Sequence, residues 1–265
     1  MTEADSSEGR IHTKLKDGVF LIGIDRPAKL NGFTPEMLRG MVAAYTTYEN
    51  EAAARCALVY AEGKHFTAGL DLPKVAPHLG SDWLLVEEGD IDPFDLRAPF
   101  RTKPVVFAVQ GICFTLGIEM MLAADIVIAA SDSRFSQLEV KRGLMATGGA
   151  TIRMVERAGW GNAMRYLLTG DEFDSATALR LGFIQEVVEP GEQFGRALEI
   201  ANDIAKQAPL AVRATLDSAR QALGEGPAAS AAQFGQVQKQ LLASEDFQEG
   251  LRSFKSKRPA QFSGR

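Results

Sequence analysis

A chain of 265 residues with 46% hydrophobic and 24% charged side chains has an ordinary globular composition, long enough for one large core or two modest domains. Its 29 basic and 34 acidic residues leave a net charge of −5, which excludes nonspecific nucleic-acid binding through a dominant basic field. Two cysteines without CxxC spacing (Cys56, Cys113) have reduced thiols in a cytoplasm-like compartment as their simplest reading, and three scattered histidines (His12, His65, His78) give no support to a zinc site.

The acidic, polar segment 1–10 has neither the apolar core of a secretory signal nor the basic residues of a transit peptide, and is expected to be a flexible tail. "IHTKLKDGVFLIGID" alternates about a DG turn, predicting a hairpin of Ile11–Lys16 with Val19–Asp25. After the loop "RPAKLNGF", Thr34 is placed to cap a helix to about Asn50, with Pro35 at its first position and Glu36 in its first turn. "CALVYA" reads as a buried strand. From Pro73 to Thr102 the chain predicts a long irregular connection holding Trp83, Phe94 and Phe100 beside Glu87, Glu88, Asp90, Asp92 and Asp95. Such a connection either covers a site or is a solvated acidic loop pinned by its aromatics.

"VVFAVQG" (Val105–Gly111) is a second apolar strand, followed by a helix over Leu116–Ala124 and another strand in "DIVIAA". This alternation predicts an α/β fold with parallel strands. The apolar run around it is too short to span a bilayer and is interrupted by Asp125, so the protein is expected to be soluble and not membrane-bound. Beyond Gly149 the pattern is helical: "ATIRMVERAG", "GNAMRYLLTG" and "SATALRLG" each end in glycine. A short strand (Ile184–Val188) precedes helices over Gly195–Gln207, Pro209–Leu223 and Ala228–Phe254, the last with a break near Ser244–Glu245. The chain thus divides into an α/β body, 11–207, and a helical C-terminal part, 208–265.

No GxSxG elbow, phosphate loop, GxGxxG or HExxH occurs, so catalysis is expected to rest on carboxylates. Two stand out. Glu119 interrupts "LGI…MML" near a helix start, and Glu139 follows "RFSQL" at the expected end of a strand. Either alone is explained by the helix dipole or by solvation. Their company is what matters: "GKHFTAGLDL", a strand followed by a turn of small residues, can leave backbone N–H groups without ladder partners.

Together "DRPAKLNGF", "GKHFTAGLDL", "AVQGICFTLGIEMMLAADIVIA", "FSQLEVKRGLMATGGATIRM", "LTGDEFDSATALRLGFIQEVV" and "EGLRSFKSKRPAQFSGR" resemble the crotonase family of enoyl-coenzyme A hydratases and isomerases, over nearly the whole chain from Ile11. The resemblance implies an α/β spiral of repeated strand-strand-helix turns (11–207) carrying an acyl-CoA site, and a C-terminal region (208–265) used in a homotrimer or dimer of trimers. It assigns the N–H groups of Leu70 and Leu116 to an oxyanion hole, with Ala68 and Gly69 allowing close approach. Glu119 and Glu139 become the acid/base pair. Ala28, Lys29, Leu30, Ala68, Gly69, Asp71, Leu72, Gly117 and Lys257 become substrate or CoA contacts.

The implied substrate is an acyl-CoA thioester, with coenzyme A part of the substrate, no separate cofactor and no metal. The implied reaction is hydration of a 2-enoyl-CoA. Isomerisation, thioester hydrolysis and binding without catalysis are the alternatives. One departure is visible: relatives carry consecutive glycines where this chain has Thr115 and Leu116, keeping only Gly117, which bears on pocket shape and substrate size. Pocket-lining residues are expected from Val75–Arg101 and Leu144–Met145.

Overall fold

The structure, a computed structural model, describes residues 8–78 and 86–265. Trp83 and most of the expected N-terminal tail lie outside the described residues. The described strands are β1 (Arg10–Lys16), β2 (Val19–Asp25), β3 (Cys56–Ala61), β4 (Val105–Val109), β5 (Ile112–Phe114), β6 (Ile126–Ala130), β7 (Arg134–Ser136), β8 (Phe173–Asp174) and β9 (Glu186–Val188). One sheet runs β1-β2-β3-β4-β6-β9 and a second β5-β7-β8. Only β1–β2 in the first sheet and β7–β8 in the second are antiparallel.

The hairpin closes as the DG dipeptide predicts. Asp17 and Gly18 both take positive φ, 51° and 81°, the geometry whose twist matches the flanking strands. Helix α1 (Pro35–Asn50) also starts as expected: Thr34 Oγ1 accepts the Met37 N–H at 3.2 Å, Pro35 is the first helical residue and Glu36 sits in the first turn. Its buried side chains, Met37, Leu38, Met41, Tyr45 and Tyr48, recur at helical spacing.

The chain then repeats one unit. A long strand enters the first sheet, a short one the second, and a helix follows. β4, β5 and α3 (Leu116–Ala123, after the single-turn α2 at Leu72–Val75) make one such turn; β6 and β7, followed later by α4 (Ala150–Ala158), make the next. Of the second sheet only β7 was anticipated, as the strand at "RFSQL"; β5 and β8, three and two residues long, carry no periodicity. Glu139, expected at a strand end, is corrected accordingly: β7 stops at Ser136, and Glu139 opens a 3-10 turn, Glu139–Arg142.

The rest is α5 (Trp160–Leu167), α6 (Ser175–Arg180), α7 (Gln193–Ala205), α8 (Pro209–Glu225), α9 (Pro227–Leu242) and α10 (Glu245–Ser256). The expected break falls at Ser244, whose Oγ accepts the Phe247 N–H at 3.0 Å and starts α10. Two apolar layers flank the first sheet. On one face Ala197, Ala201 and Ala205 of α7, four residues apart, let that helix lie against Leu58, Val106 and Ile128. On the other, Ile22, Val59 and Phe107 meet α1 and α3. Every residue of α3 is buried, Glu119 included. Among the described residues no helix is long and apolar enough to cross a membrane.

The connection before β4 is anchored rather than merely solvated. Asp92 is buried and accepts the N–H groups of Phe94 and Leu96, and Ile91 and Phe94 enter the core, whereas Glu87 and Glu88 are exposed. Arg101, 2% exposed, donates to both carboxylate oxygens of Asp125 at 2.8 and 3.0 Å and to the carbonyls of Lys103 and Ala123. Asp125, read only as an interruption of an apolar run, is therefore a scaffold residue. Lysine cannot reproduce this planar fork, so Arg101→Lys is expected to destabilise the fold by about 2 kcal/mol, measured by denaturant unfolding.

Candidate active site

The first N–H group is aimed by a backbone bridge. Phe33 donates to the Gly69 carbonyl at 2.8 Å and accepts from Asp71 N–H at 2.9 Å. In a parallel pair this turns the N–H and C=O of the intervening residue to the other side, so Leu70 N–H faces away from Phe33. Among the described residues it has no acceptor. Buried side chains hold the bridge. Arg26 donates to the Gly32 carbonyl and to Asp71 Oδ2, each at 2.8 Å. Asn31 accepts from Arg26 N–H and donates to the carbonyls of Glu62 and His65. Thr67 Oγ1 donates to the Asn31 carbonyl at 2.7 Å.

The second N–H group comes from the neighbouring segment. Thr67 and Cys113 form a parallel bridge, with Phe114 N–H on the Thr67 carbonyl at 3.0 Å. Leu70 and Leu116 each lie three residues beyond this bridged pair. Thr115, at φ 48° and ψ −116°, turns the chain into α3 and leaves Leu116 as the first helical residue. Its N–H is one of the donors that a helix start cannot satisfy internally, and it has no acceptor among the described residues. The two small residues fit close approaches: Gly69 has φ 106°, and a Cβ there would fall inside the Thr115 hydroxyl, while one on Gly117 would meet Thr67 Cγ2 at 2.5 Å.

One turn into α3 stands Glu119, 5% exposed. Its Oε1 accepts the N–H of Gly148 at 2.6 Å and of Ala150, the first residue of α4, at 3.3 Å. Burial pushes its pKa up to about 7; the N–H groups hold it down, while the negative Glu139 adds to the rise. Glu139 is half-buried, and burial raises its carboxyl as well. With its amide nitrogen turned towards Glu139, buried Gln137 donates to the two carboxylate oxygens at 3.2 and 3.0 Å. Glu119 thus feels the charge of Glu139, twenty residues away in sequence.

Gly148 closes over Glu119: a Cβ there would stand 2.6 Å from Oε2 and 2.8 Å from Phe94 Cδ1. Its backbone φ is not positive, so alanine brings no torsional strain. Gly148→Ala is therefore expected to lower kcat about tenfold, by pushing the carboxylate aside, while the melting temperature moves by only a few degrees. Steady-state kinetics beside a thermal melt checks it.

The remaining sequence candidates divide. Ala28 and Lys29 lie in a 3-10 turn, Pro27–Lys29, and Leu30 follows at φ 51°; all three are exposed. The Leu30 carbonyl accepts Ala68 N–H at 2.9 Å, which joins this turn to the Leu70 segment. Leu72 begins α2 beside Asp71, whose carboxylate is engaged by Arg26. Lys257 is not brought to this group by any described contact; it ends α10 at φ 49° with an exposed side chain. Leu144 and Met145 are exposed on the loop after Glu139, and Val86, Pro93 and Phe94 line an apolar hollow with Phe33, Met41 and Met120.

Arg26, Asn31, Gln137 and Gly148 were missed by sequence reasoning. Only "NG" at Asn31–Gly32 carried a local signal, that of a turn. Among the described residues no cluster of His, Cys, Asp and Glu could hold a metal ion. Cys56 and Cys113 are both buried and unbridged.

The arrangement can stabilise a negative oxygen with two main-chain N–H groups and move protons with two carboxyls. The profile of the Enoyl-CoA hydratase/isomerase family matches residues 14–265. An enoyl-CoA hydratase of Mycobacterium tuberculosis is 32% identical over 251 residues, 92% of this chain and 93% of that protein. A mitochondrial Delta(3,5)-Delta(2,4)-dienoyl-CoA isomerase of Dictyostelium discoideum is 29% identical over 201 residues, 72% of this chain and 69% of that one. The crystal structure of a probable enoyl-CoA hydratase/isomerase from Mycobacterium abscessus has a TM-score of 0.93 at 45% identity, covering 96% of this chain and 98% of that chain. The chain therefore belongs to the enoyl-CoA hydratase/isomerase family and has the crotonase fold.

Proposed function

We propose that this protein hydrates a 2-enoyl-CoA thioester, and the observation that carries the reading is a buried glutamate raised in part by a second glutamate's charge, one helical turn from an acceptor-free N–H group. The thioester oxygen accepts from Leu70 N–H and Leu116 N–H. One carboxylate takes a proton from water as the water oxygen bonds to Cβ. Electrons of the Cα–Cβ bond move towards the thioester oxygen as an enolate, and the other carboxyl delivers a proton to Cα. Both carboxyls work from one side, so addition is syn. Two glutamates favour hydration over a double-bond shift, which needs a single base that returns its own proton.

Coenzyme A enters as part of the substrate, with Ala28–Leu30 and Ala68–Leu72 as its contact segments and no separate cofactor. Lys257 would reach it only from a neighbouring subunit. The exposed Phe247, Leu251 and Phe254 on α10 and Phe234 on α9 support a subunit-contact role for the C-terminal helices in a homotrimer or dimer of trimers.

Incubation with short, medium and long 2-enoyl-CoA esters tests the reading. Loss of the conjugated absorbance without thiol release is expected. Thiol release would identify a hydrolase, retained unsaturation at a new position an isomerase, and tight CoA-ester binding without turnover a binding protein.

The active pair carries one proton. With Glu119 titrating near 7 in the folded protein, kcat/KM is expected to be bell-shaped, falling above about pH 7 as that proton is lost and falling again in acid when the second carboxyl is protonated. A profile flat across pH 6–9 would contradict the shared proton.

A further inference from the structure

Thr115 combines a strained backbone with an unpaired hydroxyl. It holds φ at 48°, a region that a β-branched residue rarely enters. Its Oγ1 is shielded from solvent and has no hydrogen-bond partner among the described residues, although a buried hydroxyl is normally paired. That oxygen packs where a Cβ of Gly69 would lie. Gly69 directly precedes Leu70, and Thr115 directly precedes Leu116, so the unpaired hydroxyl stands between the peptide groups that carry both N–H donors. Nothing in the packing of the free protein explains it: glycine would adopt this backbone without strain, and valine would fill the space without an unsatisfied oxygen.

Resting on the reading of Leu70 and Leu116 as an oxyanion hole, we propose that the Thr115 hydroxyl is a third donor, which pairs with the thioester oxygen when the site is occupied. Thr115 as a whole is only half-buried, so its side chain has an open side away from Gly69. A χ1 step of about 120° between staggered rotamers would take Oγ1 off the Gly69 contact, and in the proposal the hydroxyl thereby gains the acceptor that it lacks. The cost borne by the free protein is recovered as charge develops on the oxygen, which is where a donor raises kcat rather than ground-state affinity.

The test reads the oxygen's charge directly. A 3-ketoacyl-CoA that the protein cannot hydrate is titrated into the protein, and the near-ultraviolet absorbance of its enolate is followed against pH. The wild type should lower the apparent pKa of enolisation of the bound ligand. Thr115→Val keeps the shape and the strained backbone but removes the hydroxyl; it should raise that apparent pKa by about one unit and lower kcat about tenfold, the equivalent free energy. Its melting temperature should equal or exceed that of the wild type, because an unpaired buried hydroxyl is gone. Thr115→Ser keeps the donor and should lose no more than about threefold.

A Thr115→Val protein that is folded and binds the enolate as the wild type does would reduce Thr115 to a spacer and overturn the proposal. Equal losses in the serine and valine variants would overturn it too, because the lost feature would then be the methyl group. A wild type that stabilises the enolate yet hydrates no enoyl chain would sink the hydratase reading and leave the third donor standing.

Discussion

Glu119→Gln and Glu139→Gln are each expected to lower kcat for hydration by about 10²–10⁴-fold, the range for removing one positioned acid or base. The double variant should be scarcely worse than the worse single one, because groups acting as a unit do not contribute additively. KM should change little. The amide keeps its oxygen where Gly148 N–H and Ala150 N–H meet Glu119, so the fold tolerates the change at that position. Unchanged turnover in either variant removes that carboxyl from the chemistry.

Stability should move in the opposite direction from activity. The folded-state pKa of Glu119, about 7, lies above the ordinary 4.5. The stability associated with its protonated form is therefore complete below 4.5 and is lost as pH rises through 7. Above that pH the wild type carries a buried charge that Glu119→Gln does not. At pH 8 the variant should melt about 2–4 °C higher for each kcal/mol recovered, with the difference closing towards pH 4.5. A pH-independent difference would mean that the carboxyl is not destabilised by burial.

The second large effect is expected at Gly69. Alanine there meets two obstacles at once: a φ of 106°, and a Cβ that falls inside the Thr115 hydroxyl. The backbone must shift, and the group that shifts is the peptide carrying Leu70 N–H. Displacing one donor of an oxyanion hole costs about 10²–10³ in kcat. Gly69→Ala should lose that much, together with about 1–3 kcal/mol of stability from the positive φ. Adding Thr115→Gly relieves the overlap but not the torsion, so part of the activity should return while the stability defect persists. Full activity in Gly69→Ala would show that Leu70 N–H does not bind the reacting oxygen.

Contrast between Glu119 and Gln137 shows what a linear chain reveals. Glu119 stood out because a carboxylate among methionines and leucines breaks a local pattern. Gln137 is equally buried, yet a glutamine two residues from a glutamate breaks none. The same holds for Gly69 and Gly148. Gly69 lies in a recognisable small-residue turn, whereas the need for Gly148 exists only because Glu119 and Phe94 converge on it from distant segments. β1, β2, α1 and the break at Ser244 were legible because turn dipeptides, caps and helical spacing act within a few residues. β5 and β8 were not, since their pairing is set by the spiral and not by their own composition, and of β7 the sequence showed a strand but not its end at Ser136.

The sequence by itself determined the alternation of apolar strands and helices, the two glutamates in apolar company and the motifs that resemble the family, all carried by short-range chemistry. Tertiary structure alone decided that Leu70 and Leu116 present unpaired N–H groups from adjacent parallel segments, that Glu119 is held by the start of α4, and that Asp125 anchors Arg101. Hydrogen-bond direction and charge coupling depend on separations in space, and those exist only once residues far apart in the chain are packed together.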